Sequence, residues 1–264
     1  MLGSVRRCSH LAFARRAYAT LVDPQEELRR QLCPMPVTLQ TDAELLRDFK
    51  LKAPPSPPLP DFKPFVQSLV SVQDLFEARV HYGHRDGRLN PRMKGFLFGS
   101  RLGHTVFDLD QTLSLLHDAL NFTAHVAYRQ GVILFLSRHP PTLHLVERTA
   151  QECGEYSHCR RWRKGLFTNS EKQFGAVTRL PDLCIFLNTL DTVLEDHWAI
   201  GEAGRLAIPT VGIVDSDCNP STITYPVPGN DDSIPAVRLY ADLFKRTILE
   251  GKARRTKDEE GGKL

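Results

Sequence analysis

Asp215 and Asp217 stand two residues apart at the end of the short apolar run Ile208-Pro209-Thr210-Val211-Gly212-Ile213-Val214. Two carboxylates at that spacing could hold Mg²⁺ for phosphoryl chemistry, and Asp231 and Asp232 could add oxygen ligands. The same residue types also serve turns and caps. Asp and Asn favour turns, and acids near a helix start oppose the positive end of its dipole. No activated nucleophile and no glycine-rich phosphate cradle accompanies these acids, so turn and cap chemistry is the expectation. The enzymatic alternative is a Mg-dependent phosphotransfer or phosphatase-like activity built on Asp215 and Asp217.

A second kind of chemistry is binding by charge and stacking. Residues 79–101 carry Arg79, Arg85, Arg88, Arg92, Lys94 and Arg101 against Asp86 alone. His81, Tyr82 and His84 lie among them, with Asn90 following. His81 and His84 have a spacing compatible with a metal, yet no third ligand is near and Gly83 interrupts any helix. Rings and guanidinium groups on a glycine-punctuated loop suit RNA better, since rings stack on bases and arginines pair with phosphates. Residues 160–172 repeat the pattern, with Arg160, Arg161, Arg163, Lys164 and Lys172 against Glu171 alone. Trp162 sits inside this basic run and is expected at the surface, stacked on a base or ribose. Lys164-Gly165 is no P-loop, because the upstream glycine and the following Ser or Thr are missing.

These segments need a frame. Leu113, Leu116, Leu120 and Ala124 recur at helical spacing and predict a helix over 110–129. Strands are predicted over 131–137, 183–187 and 210–214. Helices are predicted from Pro140 to about Cys153, over 191–205 and over about 232–250. Such alternation predicts a parallel sheet covered by helices on both faces. The turn after the first strand reads Ser137-Arg138-His139-Pro140-Pro141, a poor cradle for a dinucleotide. Upstream, Thr41-Asp42-Ala43-Glu44 resembles a capping box. Residues 53–64 are proline-rich and read as an extended linker, so the globular part is expected to begin near Ser71. The charged tail 251–264 reads as disordered.

The 264 residues and 41% hydrophobic content allow one sizeable domain with extensions. No apolar run approaches the roughly 18 residues that a membrane helix needs. The first 22 residues contain no Asp or Glu but hold Arg6, Arg7, Arg15 and Arg16, the composition of a mitochondrial transit peptide cleaved near Tyr18 or Ala19. Removing residues 1–18 lowers the formal net charge from +3 to −1. Bulk charge therefore does not argue for nucleic acid; the two local clusters do. Six cysteines form no C-x-x-C pair, which suits free thiols in a reducing compartment.

Several blocks together resemble the small-subunit ribosomal protein S-two family in a mitochondrial version. They are Leu75-Phe76-Glu77-Ala78 with His81-Tyr82-Gly83-His84, then Asn90-Pro91-Arg92-Met93 and Phe96-Leu97-Phe98-Gly99. Trp162, Gly165, Thr168 and Asn169 follow, then Leu180-Pro181-Asp182, Ile208-Pro209, Val214-Asp215, Asn219-Pro220 and Pro228-Gly229-Asn230-Asp231-Asp232. The resemblance covers about 71–250. It implies a flavodoxin-like fold, contacts with small-subunit ribosomal RNA and neighbouring ribosomal proteins in the matrix, no catalysis and no obligate cofactor. It implies neither membrane association nor a homo-oligomer. Its motif positions with RNA-suited chemistry are His81, His84, Asn90, Arg92, Trp162, Thr168 and Asn169. The implied organisation is a leader (1–18), an extension and linker (19–70), the α/β domain (71–250) and a tail (251–264). Residues 23–66 are expected to dock on a neighbour in the subunit. Two features depart from the family. Lys164 replaces the first glycine of a pair, and only Ser170 to Arg179 separate Asn169 from Leu180 where bacterial relatives insert a helical hairpin.

Overall fold

The computed structural model describes residues 60–192 and 195–261. The capping-box segment and most of the extension lie outside them.

Five short parallel strands make the main sheet: β4 (Ile133–Leu136), β5 (Tyr156–His158), β6 (Leu183–Phe186), β9 (Thr210–Val214) and β10 (Tyr225–Pro228). Their spatial order is β10-β9-β6-β4-β5, which in chain order is the 2-1-3-4-5 arrangement of flavodoxin-like folds. Side chains alternate across each strand, so every run divides between two cores. Ile133, Phe135, Leu183, Ile185, Val211, Ile213 and Val227 face one side. There they meet α3 (Leu109–Tyr128), α4 (Leu143–Cys153) and α7 (Ile234–Glu260). Leu136, Cys184, Phe186 and Val214 face the other side, under α6 (Trp198–Arg205). Burial on both faces explains why these strands are continuously apolar. α3 starts where Asp108 accepts a hydrogen bond from the Asp110 amide, and its apolar stripe is Leu116, Leu120 and Ala124, as the spacing predicts.

Four expectations need correction. The first concerns the proline-rich segment, whose last part is helical: α1 spans Lys63–Leu69, with Pro64 in its first turn, where proline is tolerated. Phe62 and Val66 are 3% and 1% exposed, and the Phe62 ring sits edge-on to His125 and Tyr128 of α3. The core therefore begins before Ser71, and residues 62–66 pack on their own chain rather than waiting for a partner. A second short helix, α2 (Val72–Glu77), follows behind a Ser71–Asp74 capping box. Phe62→Ala should cost about 3 kcal/mol in urea unfolding. An unchanged midpoint would return this segment to the linker.

The second correction concerns residues 79–101, which are not a plain loop. β1 (Tyr82–Arg85), β2 (Leu97–Arg101) and β3 (His104–Phe107) form an antiparallel sheet in the order β1-β3-β2. Leu102 and Gly103 both adopt left-handed φ (53° and 76°), as a tight two-residue hairpin requires. The third concerns the helix predicted over 191–205, which begins only at Trp198. The antiparallel pair β7 (Leu190–Thr192) and β8 (Glu195–Asp196) precedes it.

The fourth correction concerns the tail, because α7 runs ten residues past the predicted end, to Glu260. Charge here makes helix instead of disorder. Arg254–Asp258 and Arg255–Glu259 are i,i+4 pairs. Lys252 reaches Glu155 and the Cys153 carbonyl, and Arg255 reaches the Tyr128 carbonyl. Gly251 lets α7 press onto α3, since a Cβ there would lie 2.7 Å from the Ala124 carbonyl oxygen.

Candidate nucleic-acid interface

The carboxyl ends of the parallel strands carry the polar turns, and β1 is folded over them. Asp215 and Asp217 leave β9, and Asn230, Asp231 and Asp232 follow β10. His84 on β1 faces these turns, with Nδ1 3.1 Å from Asp215 Oδ2 and Nε2 3.4 Å from Asp232 Oδ2. Nε2 is also 3.8 Å from Asp217 Oδ2. The His84 amide donates to Ser216 Oγ. This approach requires Gly83, because a Cβ would come within 2.3 Å of Thr105 Oγ1.

Electrostatics follow from that geometry. The hydrogen bond to Asp215 raises His84 to about 9, against the opposing effect of burial. Burial raises the carboxyls of Asp217 and Asp231 above the usual range, with neighbouring acids adding to the effect at Asp231. Asn188 Nδ2 donates to Asp231 Oδ2 at 3.0 Å. One imidazolium thus balances a group of acids where β9 and β10 end. His84, Asp215 and Asp217 each offer a ligand atom within 4.8 Å of the others, so the set could also take a divalent cation. His81 is not part of this set; the two acids come from the turn after β9.

The turn reading of the second acidic pair needs one amendment. Asn230 closes the turn before α7, its Oδ1 accepting from the Asp232 and Ser233 amides, while the N-cap residue Ser233 makes no side-chain capping bond. Asn230 also donates to the carbonyl of Arg79, a residue with left-handed φ of 62°. The turn therefore ties the start of the basic segment to the sheet. Gly229 is required there, as a Cβ would meet the Tyr240 hydroxyl at 2.2 Å.

The predicted interface residues separate into three groups. Arg79, Arg85, Arg88, Arg92, Lys94, Arg101, Arg160, Arg161, Arg163, Lys164, Thr168, Asn169 and Lys172 are exposed. His81, His84 and Asn90 are half-buried: His81 stacks on Phe76 at 4.5 Å, and the Asn90 side chain accepts from the Arg92 amide. Trp162 is buried, at 5% exposure, and packs edge-on to Phe167 and His158. One expectation is thereby replaced. Trp162 is a core residue and offers no face to a base, because the face of the sheet above it has only the short α6 as cover and needs apolar filling. His84 turns both ring nitrogens towards acids.

The structure does bring the two basic segments together at their roots. Met93, Phe96 and Leu97 of the first share one apolar cluster with Trp162, Leu166 and Phe167 of the second, over the same sheet face. Lys164 Nζ lies 3.7 Å above the Trp198 ring. Sequence reasoning missed Glu202, a buried acid on α6 that accepts hydrogen bonds from the second segment. Its signal was an acid on the stripe of Ala199 and Ala203.

Comparison with known proteins follows the same blocks. The family described as Ribosomal protein S2 matches residues 75–183 and 171–251. The small ribosomal subunit protein uS2m of Bos taurus is 54% identical over 190 residues, 72% of this chain and 65% of the bovine protein's length. The uS2 proteins of Rickettsia bellii and Paramagnetospirillum magneticum are each 31% identical, over 226 and 224 positions. Each covers 69% of this chain and, respectively, 76% and 83% of the bacterial protein. Those alignments are longer than the part of this chain they cover, so the bacterial proteins carry positions it lacks. The two matched stretches overlap over 171–183, where the short α5 (Ser170–Phe174) and its loop stand. The fold, the order of the blocks and these matches agree, and the chain belongs to the ribosomal protein S2 family.

Proposed function

We propose that this protein is a structural constituent of the mitochondrial small ribosomal subunit, where it binds small-subunit ribosomal RNA and neighbouring ribosomal proteins and supports mitochondrial translation. The observation that carries the RNA reading is the common root of the two basic segments. Residues 93–97 and 162–167 are anchored in one apolar layer, so the exposed cations beside them rise from a common base although the chain as a whole is nearly neutral. The acid-free, arginine-bearing start supports the matrix destination, and the name of the bovine relative supports the subunit.

The enzymatic alternative fits less well. Asp215 is 1% exposed and its carboxylate is taken by His84. Burial pushes Cys153 and Cys159 up to about 11 and Cys184 to about 12, which disfavours their thiolate forms. The acids are better explained as the clamp that holds β1 on the sheet.

Sedimentation of a mitochondrial lysate tests the proposal. The protein should migrate with the small subunit and carry an N-terminus near Tyr18 or Ala19. A slow soluble peak with metal-dependent phosphatase activity, removed by Asp215→Asn with Asp217→Asn, would reverse the ranking.

A further inference from the structure

The second basic segment alternates in direction. Trp162, Gly165 and Phe167 turn inward, while Arg160, Arg161, Arg163 and Lys164 turn out. The inward set converges on one side chain. Glu202 Oε1 accepts from the Gly165 amide at 2.6 Å and from Trp162 Nε1 at 3.3 Å. Glu202 Oε2 accepts from the Phe167 amide at 2.9 Å. Glu202 is 5% exposed, as are Trp162 and Phe167, so water is poorly placed to replace this acceptor.

We propose that Glu202 is the positioning residue of this RNA-binding segment: its carboxylate gathers three donors and thereby fixes where the four flanking cations point. This inference rests on the RNA-binding reading of residues 160–172. A carboxylate is the only side chain of this size that accepts at both ends and donates at neither. Gly165 completes the device with a left-handed φ of 86°, which turns the chain so that its amide meets Glu202. Trp198, four residues before Glu202 on α6, adds an outer brace under Lys164. Among the described residues Arg160, Arg161, Arg163 and Lys164 make no salt bridge, so no acidic side chain sets their direction.

Simple electrostatics alone gives the opposite expectation. Removing an anion beneath a cationic surface raises the local positive potential and should tighten RNA binding. Removing a positioning group should weaken it. In Glu202→Gln the side chain keeps its size but has one acceptor oxygen, and its amide nitrogen meets an N–H it cannot accept.

The test uses the purified full chain and a transcript of mitochondrial small-subunit ribosomal RNA, with affinity measured across a range of salt. Glu202→Gln should bind roughly tenfold more weakly, as expected for residues coupled in one network. It should also show a shallower dependence of log K on log salt, because misdirected cations no longer reach phosphates. A general loss of folding would lower the active fraction and leave that slope unchanged, and this result overturns the proposal. Unchanged or tighter binding overturns it too. If Glu202→Gln does not fold, Trp198→Ala is read instead: weaker binding with a shallower slope is expected, and wild-type behaviour overturns the proposal. The triple charge reversal of Arg161, Arg163 and Lys164 separates the two layers of inference. If the triple variant binds normally, the RNA reading fails and the positioning role with it. If the triple variant is weak while Glu202→Gln matches the wild type, only the role of Glu202 fails.

Discussion

Changing Arg161, Arg163 and Lys164 together to Glu should reduce incorporation of this protein into the small subunit by at least roughly tenfold. The size of the effect follows from where the charge lies. Beyond residues 1–18 the chain is close to neutral, so no diffuse positive field stands in for a lost cluster. Each cation that neutralises a phosphate releases a counterion, and each one lost flattens the slope of log K against log salt by roughly one. Three reversals therefore remove three contacts and add three repulsions. The fold should survive, since the three side chains are exposed and make no salt bridge among the described residues. Gradient sedimentation of cells expressing the variant in place of the normal copy measures the outcome. Arg148→Glu, on α4 across the sheet, is the control and should assemble normally. Normal assembly of the triple variant would make the cluster a solvated surface.

The parts of the fold that were legible are those governed by local periodicity. The runs Ile133–Leu136, Leu183–Phe186 and Thr210–Val214 are apolar because both faces of the sheet are covered, and they stand where the pattern put them. The stripe of α3 was equally plain. Illegible parts were governed by contacts across the fold. Tyr82–Arg85 has one exposed ring, one glycine and two polar residues, which is no strand signal. It is a strand because β3 pairs with it and His84 is held from β9. The far end of α7 reads as a tail because its charges pair at i,i+4 and reach the Tyr128 carbonyl of α3 and Glu155 just beyond α4, and composition alone does not show such contacts. The exposed arginines of the candidate interface were readable from their clustering. Trp162 was misplaced because its arginine neighbours suggested surface, whereas side chains in an irregular segment choose sides one at a time. Glu202 supplies the force for that choice, and nothing near residue 162 in the sequence refers to it.

The acid–histidine cluster carries the second large effect, and its direction comes from the same geometry. His84→Gln should destabilise the full chain by about 3 kcal/mol, the range expected when one partner leaves a mostly buried ion pair. The shape is nearly kept and one hydrogen bond can re-form, so the loss is chiefly that of the positive charge among Asp215, Asp217 and Asp232. Histidine also makes this contribution depend on pH. Its ordinary value of 6.5 applies to the unfolded chain, and the folded protein holds it at about 9. Between those values the fold keeps a proton that the unfolded chain has released, so stability must fall as pH rises through this window. The contribution is complete below about 6.5 and gone above about 9. Urea unfolding at pH 6 and pH 9.5, with a chelator present to keep divalent cations off the acids, should show a clear loss for the wild type. His84→Gln should show much less. If both proteins respond alike, the proton on His84 is not what balances the acids, and β1 is held by its pairing with β3 and by the Ser216 and Asn230 hydrogen bonds.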